Sequence, residues 1–288
     1  AHPDPEEAGA LDLALSEATA IGASGVLAHD PDGDRLALAV PAGGGWRVLT
    51  GDELGVLLAD HVLSHTAGAD RLVVSTVVSS TLLGRIAADH GVRHAVTLPG
   101  FKWVMRAAER HPGTRFTFGY EEALGYAVSD LVGDKDGLTA AAATARMLAD
   151  LAARGRTVLD QLEAIARRHG LHATTSWSIR TGRGPRGIEE AVDALTDDPP
   201  ASLDGRTVTA ISLPGPRIVL LEVDGGVRVA VRPSGTEAKL KCYVQVIVPH
   251  VGPGTPGWAG AQAEGAATLG RVRGAITARL GLEPATIP

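Results

Sequence analysis

The pattern of apolar and polar positions changes near the middle of the chain. Between residues 54 and 118, short apolar runs alternate with segments of helical periodicity, and the connections are short. We predict strands at 71–78, 92–98 and 115–118, and helices at 54–63, 82–90 and 102–110. Such alternation predicts a parallel sheet that helices cover on both faces.

The residues on either side of this region carry fewer elements. A helix is predicted at 10–20, short strands at 25–29 and 36–40, and a turn-rich break at 41–45. Two further helices are predicted at 137–154 and 159–169. The first half of the chain is therefore predicted to be of the α/β class.

After residue 170, strands follow one another along the chain. The predicted strands are 174–180, 207–212, 218–223, 227–231 and 240–248, and a helix at 261–280 follows them. Asp224-Gly225-Gly226 is a strong hairpin signal between two of the strands. Consecutive strands with a final helix predict an α+β C-terminal domain, with its boundary near 154–157.

Composition narrows the classes of function. The 288 residues suffice for two domains, and the net charge of -6 leaves no basic excess for binding nucleic acid. The single cysteine, Cys242, excludes a disulfide framework and is typical of a cytoplasmic protein. The sequence has no apolar run of transmembrane length, and its polar, acidic beginning does not resemble a signal peptide. The first residues suggest a chain entered in mid-domain, so we expect a fragment.

A carboxylate loop, Asp30-Pro31-Asp32-Gly33-Asp34-Arg35, follows the predicted strand 25–29. Its three aspartates lie two residues apart, so they can converge on a hard cation such as Mg²⁺. An EF-hand would need glycine and glutamate where Arg35 and Pro41 stand. A phosphatase with Asp30 as nucleophile, or a solvated turn, remains an alternative.

The segment Gly119–Tyr126 (GYEEALGY) follows the predicted strand 115–118. Loops at the carboxyl ends of parallel strands are where α/β sheets bind ligands, and Glu121 and Glu122 could accept hydrogen bonds from sugar hydroxyls. The alternative is that both glutamates open a helix, where negative charge is favourable.

A third loop, at residues 232–239, connects two predicted strands. It offers a guanidinium, two hydroxyls, an exposed glycine backbone and an ammonium, which together suit a phosphate group; a plain turn is the alternative. Its candidate phosphate-binding residues are Arg232, Ser234, Gly235 and Thr236. Lys102 and Lys135 each precede or open a predicted helix and could add positive charge to a site.

Taken in order, these segments resemble the α-D-phosphohexomutases, the phosphoglucomutase/phosphomannomutase family. DPDGDR resembles the magnesium loop of that family, GYEEALGY its sugar-recognition loop and RPSGTEAKLK its phosphate-binding loop, while GFKWV and DKDG match lesser signatures. The resemblance implies three parts: 1–46 as the end of a second α/β domain, 47–156 as a third α/β domain, and 157–288 as the α+β C-terminal domain.

The resemblance also implies roles for residues. Mg²⁺ would be bound by Asp30, Asp32 and Asp34. A hexose or pentose phosphate would be bound by Glu121, Glu122, Lys102, Lys135, Arg232, Ser234, Gly235 and Thr236. The implied reaction interconverts sugar 1-phosphate and 6-phosphate through a phosphoserine and a sugar bisphosphate.

The phosphoserine of the family lies in a Ser-His-Asn-Pro-like loop. This chain contains no asparagine and hence no such loop. We therefore expect an inactive C-terminal portion that needs the missing N-terminal domains, or a non-catalytic sugar-phosphate binding protein. Ala123 and Pro99 depart from frequent residues of the family and bear on substrate choice.

Overall fold

The computed structural model describes residues 4–180, 184–234, 239–249 and 257–281. The chain divides into two compact units, residues 1–164 and 165–288. The domain limits at 46/47 and 156/157 stay predictions. Within the described residues, no helix is both long enough and apolar enough to cross a membrane.

The first unit begins with a helix and a small antiparallel sheet of strand order β1-β2-β3. These elements are α1 (Asp12–Ala20), β1 (Val26–His29), β2 (Leu36–Ala42) and β3 (Gly45–Val48). The break predicted at 41–45 contains the turn of the β2–β3 hairpin, and β3 itself was not predicted. The carboxylate loop is the connection from β1 to β2, so the hairpin pairing of these two strands fixes both of its ends.

The second sheet of this unit has the strand order β5-β4-β6-β7. Its strands are β4 (Arg71–Thr76), β5 (Arg93–Thr97), β6 (Arg115–Glu121) and β7 (Gly125–Ala127). β4 pairs in parallel with β5 and β6, which confirms the predicted parallel sheet, and every residue of β4 is buried. The short β7, which was not predicted, pairs antiparallel with β6.

Helices connect and flank this sheet. They are α2 (Gly51–Ser64), α3 (Leu82–Asp89), α4 (Phe101–Met105) and α5 (Gly137–Ala152). A further helix, α6 (Val158–His169), contains the division between the two units. The single helix predicted at 102–110 is wrong in its second half, because α4 continues as a 3₁₀ helix over Arg106–Arg110. Side chains three residues apart eclipse in a 3₁₀ helix, and Arg106 there pairs with Glu109 at 3.0 Å.

The second unit is a six-stranded antiparallel sheet with two helices, as the α+β prediction requires. Its elements are β8 (Leu171–Arg180), α7 (Gly184–Asp197), β9 (Ser202–Leu203), β10 (Arg206–Gly215), β11 (Ile218–Val223), β12 (Val227–Pro233), β13 (Lys239–Val248) and α8 (Gly257–Leu280). The predicted hairpin joins β11 to β12, where Gly225 and Gly226 adopt φ of 78° and 73°. α7 and β9 were not predicted.

Candidate functional site

The carboxylate loop is folded by its own side chains. Asp30 is buried, and both of its carboxylate oxygens accept hydrogen bonds from Arg35, one from the backbone N–H at 3.1 Å and one from Nε at 2.9 Å. Gly33 adopts φ of 71° in the turn. Asp32 is exposed, and the Oδ2 atom of Asp34 lies 2.6 Å from the Nζ atom of Lys135. The loop therefore presents its carboxylates in three different environments.

Arg35 also binds carboxylates outside the loop. Its NH1 and NH2 groups donate to Asp4 at 3.0 and 3.1 Å, and NH1 donates to Glu6 at 3.2 Å. Burial opposes charge on Arg35, but the hydrogen bonds to Asp4 and Asp30 outweigh it and raise the pKa of the guanidinium. Burial likewise acts to raise the pKa of Asp30, but the hydrogen bonds from Arg35 hold that pKa below its usual value. Asp30 is thereby kept ionised and fixed in orientation.

Main-chain contacts join the carboxylate loop to GYEEALGY. Arg35 forms an isolated antiparallel bridge with Gly125, and the N–H of Leu36 donates to the carbonyl of Leu124 at 3.0 Å. Leu124 adopts φ of 61°, which is uncommon for a residue other than glycine and often marks a functional site. Two segments that are far apart in the sequence are thus neighbours.

The DKDG segment contacts both the carboxylate loop and GYEEALGY. Asp136 caps α5 by accepting from the N–H of Thr139 at 3.0 Å, and its own N–H donates to the carbonyl of Tyr126 at 2.9 Å. The N–H of Gly137 donates to the carbonyl of Gly33 at 3.1 Å. Lys135 reaches Asp34 from this segment, and the pair with Asp34 outweighs the effect of burial and raises the pKa of Lys135.

The two glutamates lie at the end of β6 and in the turn to β7. The alternative that they open a helix is therefore wrong. Glu121 accepts a hydrogen bond from the N–H of Gly100 at 2.6 Å, which links it to the GFKWV segment. Glu122 accepts from the hydroxyl of Ser79 at 3.2 Å, in the loop after β4. Their carboxylates are thus held by two different loops at the carboxyl ends of parallel strands.

Sequence reasoning missed a buried polar group that supports this turn. Asp52, in the first turn of α2, accepts hydrogen bonds from the N–H of Ser80 at 2.7 Å and the hydroxyl of Tyr120 at 2.9 Å. A Cβ on the neighbouring Gly51 would overlap the carbonyl of Glu122, so only glycine allows this close approach. The capping box of Thr50 and Glu53 marks the start of α2 in the sequence but gives no sign of these tertiary contacts.

The remaining predicted site residues lie outside the carboxylate loop, GYEEALGY and DKDG. Lys102 is exposed on the first turn of α4, with its Nζ atom 5.1 Å from the ring centroid of Trp103, and has no ion pair within the described residues. In the second unit, Nε of Arg232 lies 3.3 Å from the hydroxyl of Tyr243. The N–H of Ser234 donates to the carbonyl of Lys239 at 2.8 Å and closes the stem of the β12–β13 hairpin. Gly235 and Thr236 lie outside the described residues.

The donor set of the carboxylate loop suits a hard cation, because Asp30, Asp32 and Asp34 offer only carboxylate oxygens. Asp30 faces Arg35 and Asp34 faces Lys135. Another group in the described part of the chain brings three possible metal ligands together. The ligand atoms of His61, His65 and Asp150 all lie within 4.8 Å of one another.

The sequence of the chain is similar to that of a known protein family. Residues 50–169 match the family model described as phosphoglucomutase/phosphomannomutase, alpha/beta/alpha domain III. Over 84% of the chain, the sequence is 34% identical to a probable phosphoribomutase of Schizosaccharomyces pombe and 35% identical to a probable phosphomannomutase of Haemophilus influenzae. These matches cover 46% and 50% of the two relatives, so the chain spans about half their length.

Solved structures show the same fold at lower identity. A phosphoglucomutase/phosphomannomutase family protein from Burkholderia thailandensis matches 98% of the chain and 53% of its own length, with a TM-score of 0.68 and 20% identity. The open form of parafusin, a phosphoglucomutase from Paramecium, matches 99% of the chain and 52% of its own length, with a TM-score of 0.70 and 19% identity. The chain belongs to the phosphoglucomutase/phosphomannomutase family, the α-D-phosphohexomutases.

Proposed function

We propose that the whole protein is an intramolecular phosphotransferase that interconverts sugar 1-phosphate and 6-phosphate through a phosphoserine and a sugar bisphosphate. The observation that carries this proposal is the hydrogen-bonded assembly of DPDGDR, GYEEALGY and DKDG in the first unit. These are the segments that the reaction needs for a cation, a sugar ring and a positive charge. The serine that carries the phosphoryl group lies outside these 288 residues in this proposal.

Glu121 and Glu122 bind the sugar ring in the proposed mechanism. Ionised carboxylates only accept hydrogen bonds, so each is suited to a pair of ring hydroxyls. One oxygen of Glu121 is already fixed by Gly100, and Glu122 is fixed by Ser79, so neither carboxylate must be ordered when the sugar arrives.

The phosphate that does not react is bound by Arg232, Ser234, Gly235 and Thr236. Arg232 provides planar charge-assisted donors and lies in β12, which pairs with β13. Lys135 and Lys102 add positive charge for the anionic substrate. Relatives of the chain are named for mutases of both hexose and pentose phosphates, so the proposed substrate class is a sugar phosphate of either ring size.

Asp30, Asp32 and Asp34 would hold Mg²⁺. When bound, this ion supplies charge neutralisation to the transferring phosphoryl group. Arg35 keeps Asp30 ionised and oriented, and Lys135 pairs with Asp34. A phosphatase with Asp30 as nucleophile would use the same carboxylate loop, but it would leave the loop at residues 232–239 without a role.

The test is calorimetric binding of glucose 1-phosphate, mannose 1-phosphate and ribose 1-phosphate to the 288-residue chain. Arg232→Ala should weaken binding about tenfold to a hundredfold, because a hydrogen bond to a charged group contributes about 1.5–3 kcal/mol. Arg186→Ala is the matched control, since Arg186 pairs with Glu190 on the exposed face of α7.

The outcomes separate the candidate functions. Binding that Arg232→Ala weakens, without turnover by the isolated chain, supports the proposal. If Arg232→Ala and Arg186→Ala bind the sugar phosphates with equal affinity, or if the unaltered chain binds none of them, the proposed phosphate site is contradicted. Release of inorganic phosphate that Asp30→Asn abolishes would show a phosphatase instead.

A further inference from the structure

His61, in the last turn of α2, and His65, at the C-cap of that helix, lie four residues apart and face α5. The ring centroids of His61 and His65 are 4.3 Å apart, and Asp150 of α5 faces both rings. One ligand atom from each of the three side chains lies within 4.8 Å of the other two. None of the three belongs to the carboxylate loop, the glutamate turn or the phosphate-binding loop.

A hydrogen bond sets the orientation of His65. Its Nδ1 atom lies 2.8 Å from the carbonyl oxygen of His61, so Nδ1 carries the proton and donates to that carbonyl. In the neutral ring, Nε2 is then an unprotonated acceptor. It lies 3.4 Å from the Oδ2 atom of Asp150, which is also an acceptor, so the two facing lone pairs need a cation or an added proton between them.

The 3.4 Å separation fits a shared metal ion. Two ligands about 2.0–2.2 Å from a tetrahedral zinc lie about 3.3–3.6 Å apart. Metal-binding histidines commonly donate their other ring N–H to a backbone carbonyl, as His65 does. The pair of His65 and Asp150 thus has both the ligand spacing and the supporting hydrogen bond of a zinc site.

Asp150 is positioned in the same way. Nε of Arg146 donates to its Oδ1 atom at 3.0 Å, so the carboxylate turns its other oxygen to the histidines. That Oδ2 atom is buried, and none of the residues that the structure describes donates a hydrogen bond to it. A buried acceptor without a donor is costly, and coordination of a cation would satisfy it.

The three side chains line a cavity of about 50 Å³. One water needs about 10–15 Å³, so a metal ion and a water ligand fit. Asp60, which also lines the cavity, accepts a hydrogen bond from Gln161 at 2.7 Å. Arg154 also lines the cavity.

We propose that His61, His65 and Asp150 bind a divalent cation of the zinc class, with water as the remaining ligand, and so tie α2 to α5. Two imidazole nitrogens and one carboxylate oxygen select zinc and its neighbours in the transition series over Mg²⁺, which takes oxygen ligands. The carboxylate loop, with oxygen donors alone, has the opposite preference. The unit therefore carries two cation sites of different chemistry.

The test is titration of the 288-residue chain with Co²⁺, followed by the visible absorption of the tetrahedral ion, and with Zn²⁺, followed by calorimetry. We expect one tetrahedral Co²⁺ per chain that Zn²⁺ displaces. His65→Ala and, on the other helix, Asp150→Asn should each weaken Zn²⁺ binding at least about tenfold. His111→Ala and Asp32→Asn are controls for another histidine of the unit and for the carboxylate loop, and neither should change the Co²⁺ spectrum.

The melting temperature gives a second readout. Zn²⁺ binds only the folded site, so it should raise the melting temperature of the unaltered chain but not that of His65→Ala or Asp150→Asn. Circular dichroism of the variants without metal verifies that they fold. Absence of a tetrahedral Co²⁺ spectrum would overturn the proposal and leave a His65–Asp150 ion pair. Co²⁺ binding that only Asp32→Asn abolishes would overturn it in favour of the carboxylate loop.

Discussion

Gly137 lies where α5 meets the carboxylate loop, and its replacement by alanine tests whether that junction holds the site together. A Cβ at this position would lie 2.5 Å from the carbonyl oxygen of Gly33 and 2.7 Å from that of Arg35. It would also lie 2.7 Å from Nδ1 of His29. Two of these atoms belong to the main chain, so no side-chain rotation relieves the overlap. Either the loop or the start of α5 must move.

The cost follows from what that movement breaks. The hydrogen bond from Gly137 to Gly33 is lost or lengthened, at about 0.5–1.5 kcal/mol. Overpacking of a close contact adds about 1–3 kcal/mol. The better helix propensity of alanine offsets up to about 1 kcal/mol of the loss. Gly137→Ala should therefore destabilise the first unit by about 0.5–4.5 kcal/mol.

The measurement is urea unfolding, combined with hydrogen exchange followed by mass spectrometry. Because the chain has two compact units, exchange in peptides that cover 26–40 and 133–145 reports on the first unit separately. Gly133→Ala is the matched control, because a Cβ on Gly133 meets no atom within 4 Å. If Gly137→Ala exchanges no faster than Gly133→Ala in these peptides, the inferred junction is wrong.

Three further predictions concern buried polar groups. Tyr120→Phe removes a hydrogen bond to the buried Asp52 and should lower the free energy of unfolding by about 1–3 kcal/mol, as measured in urea. The folded-state pKa of Asp30 is lowered, so its stabilisation is present above the unfolded value of about 3.9 and is lost as the pH falls through the lower folded value. Urea unfolding at pH 5 and below pH 4 should show a smaller loss of stability for Asp30→Asn than for the unaltered chain. Burial raises the pKa of Cys242 to about 12, so a thiol reagent should modify it at pH 8 only after unfolding; reaction of the folded chain would contradict this burial.

Local periodicity was sufficient to predict most of the fold. The parallel pairing of β4 with β5 and β6, and the antiparallel sheet of the second unit, follow from where strands and helices alternate. α7 was missed although its signal is present, since Ile188, Val192 and Leu195 are buried at the i, i+4 and i+7 spacing of an amphipathic helix. β3 and β7 were missed because strands of four and three residues are too short to show an alternating pattern.

The site was predictable only as separate segments. Spacing identified the carboxylate loop and the two glutamates, because residues that act together there are neighbours in the sequence. Nothing local indicates that Ser79 would bind Glu122 or that Asp52 would face Tyr120. The first pair meets when β4 pairs with β6, and the second when α2 packs on β6. Sequence spacing thus located the charged groups, and tertiary packing determined what holds them in place.

The carboxylate loop, GYEEALGY and DKDG are joined by main-chain hydrogen bonds, and the aspartates of the loop are paired with cationic side chains. The backbone contacts of Leu36 with Leu124 and of Gly137 with Gly33 are main-chain hydrogen bonds, so they do not depend on ionic strength or on a bound cation. Arg35 and Lys135 meanwhile balance Asp30 and Asp34 from within the unit. A loop held by its backbone and neutralised by its own cations can keep its shape while the proposed substrate and cation exchange, because their charge would add to a loop that is already folded.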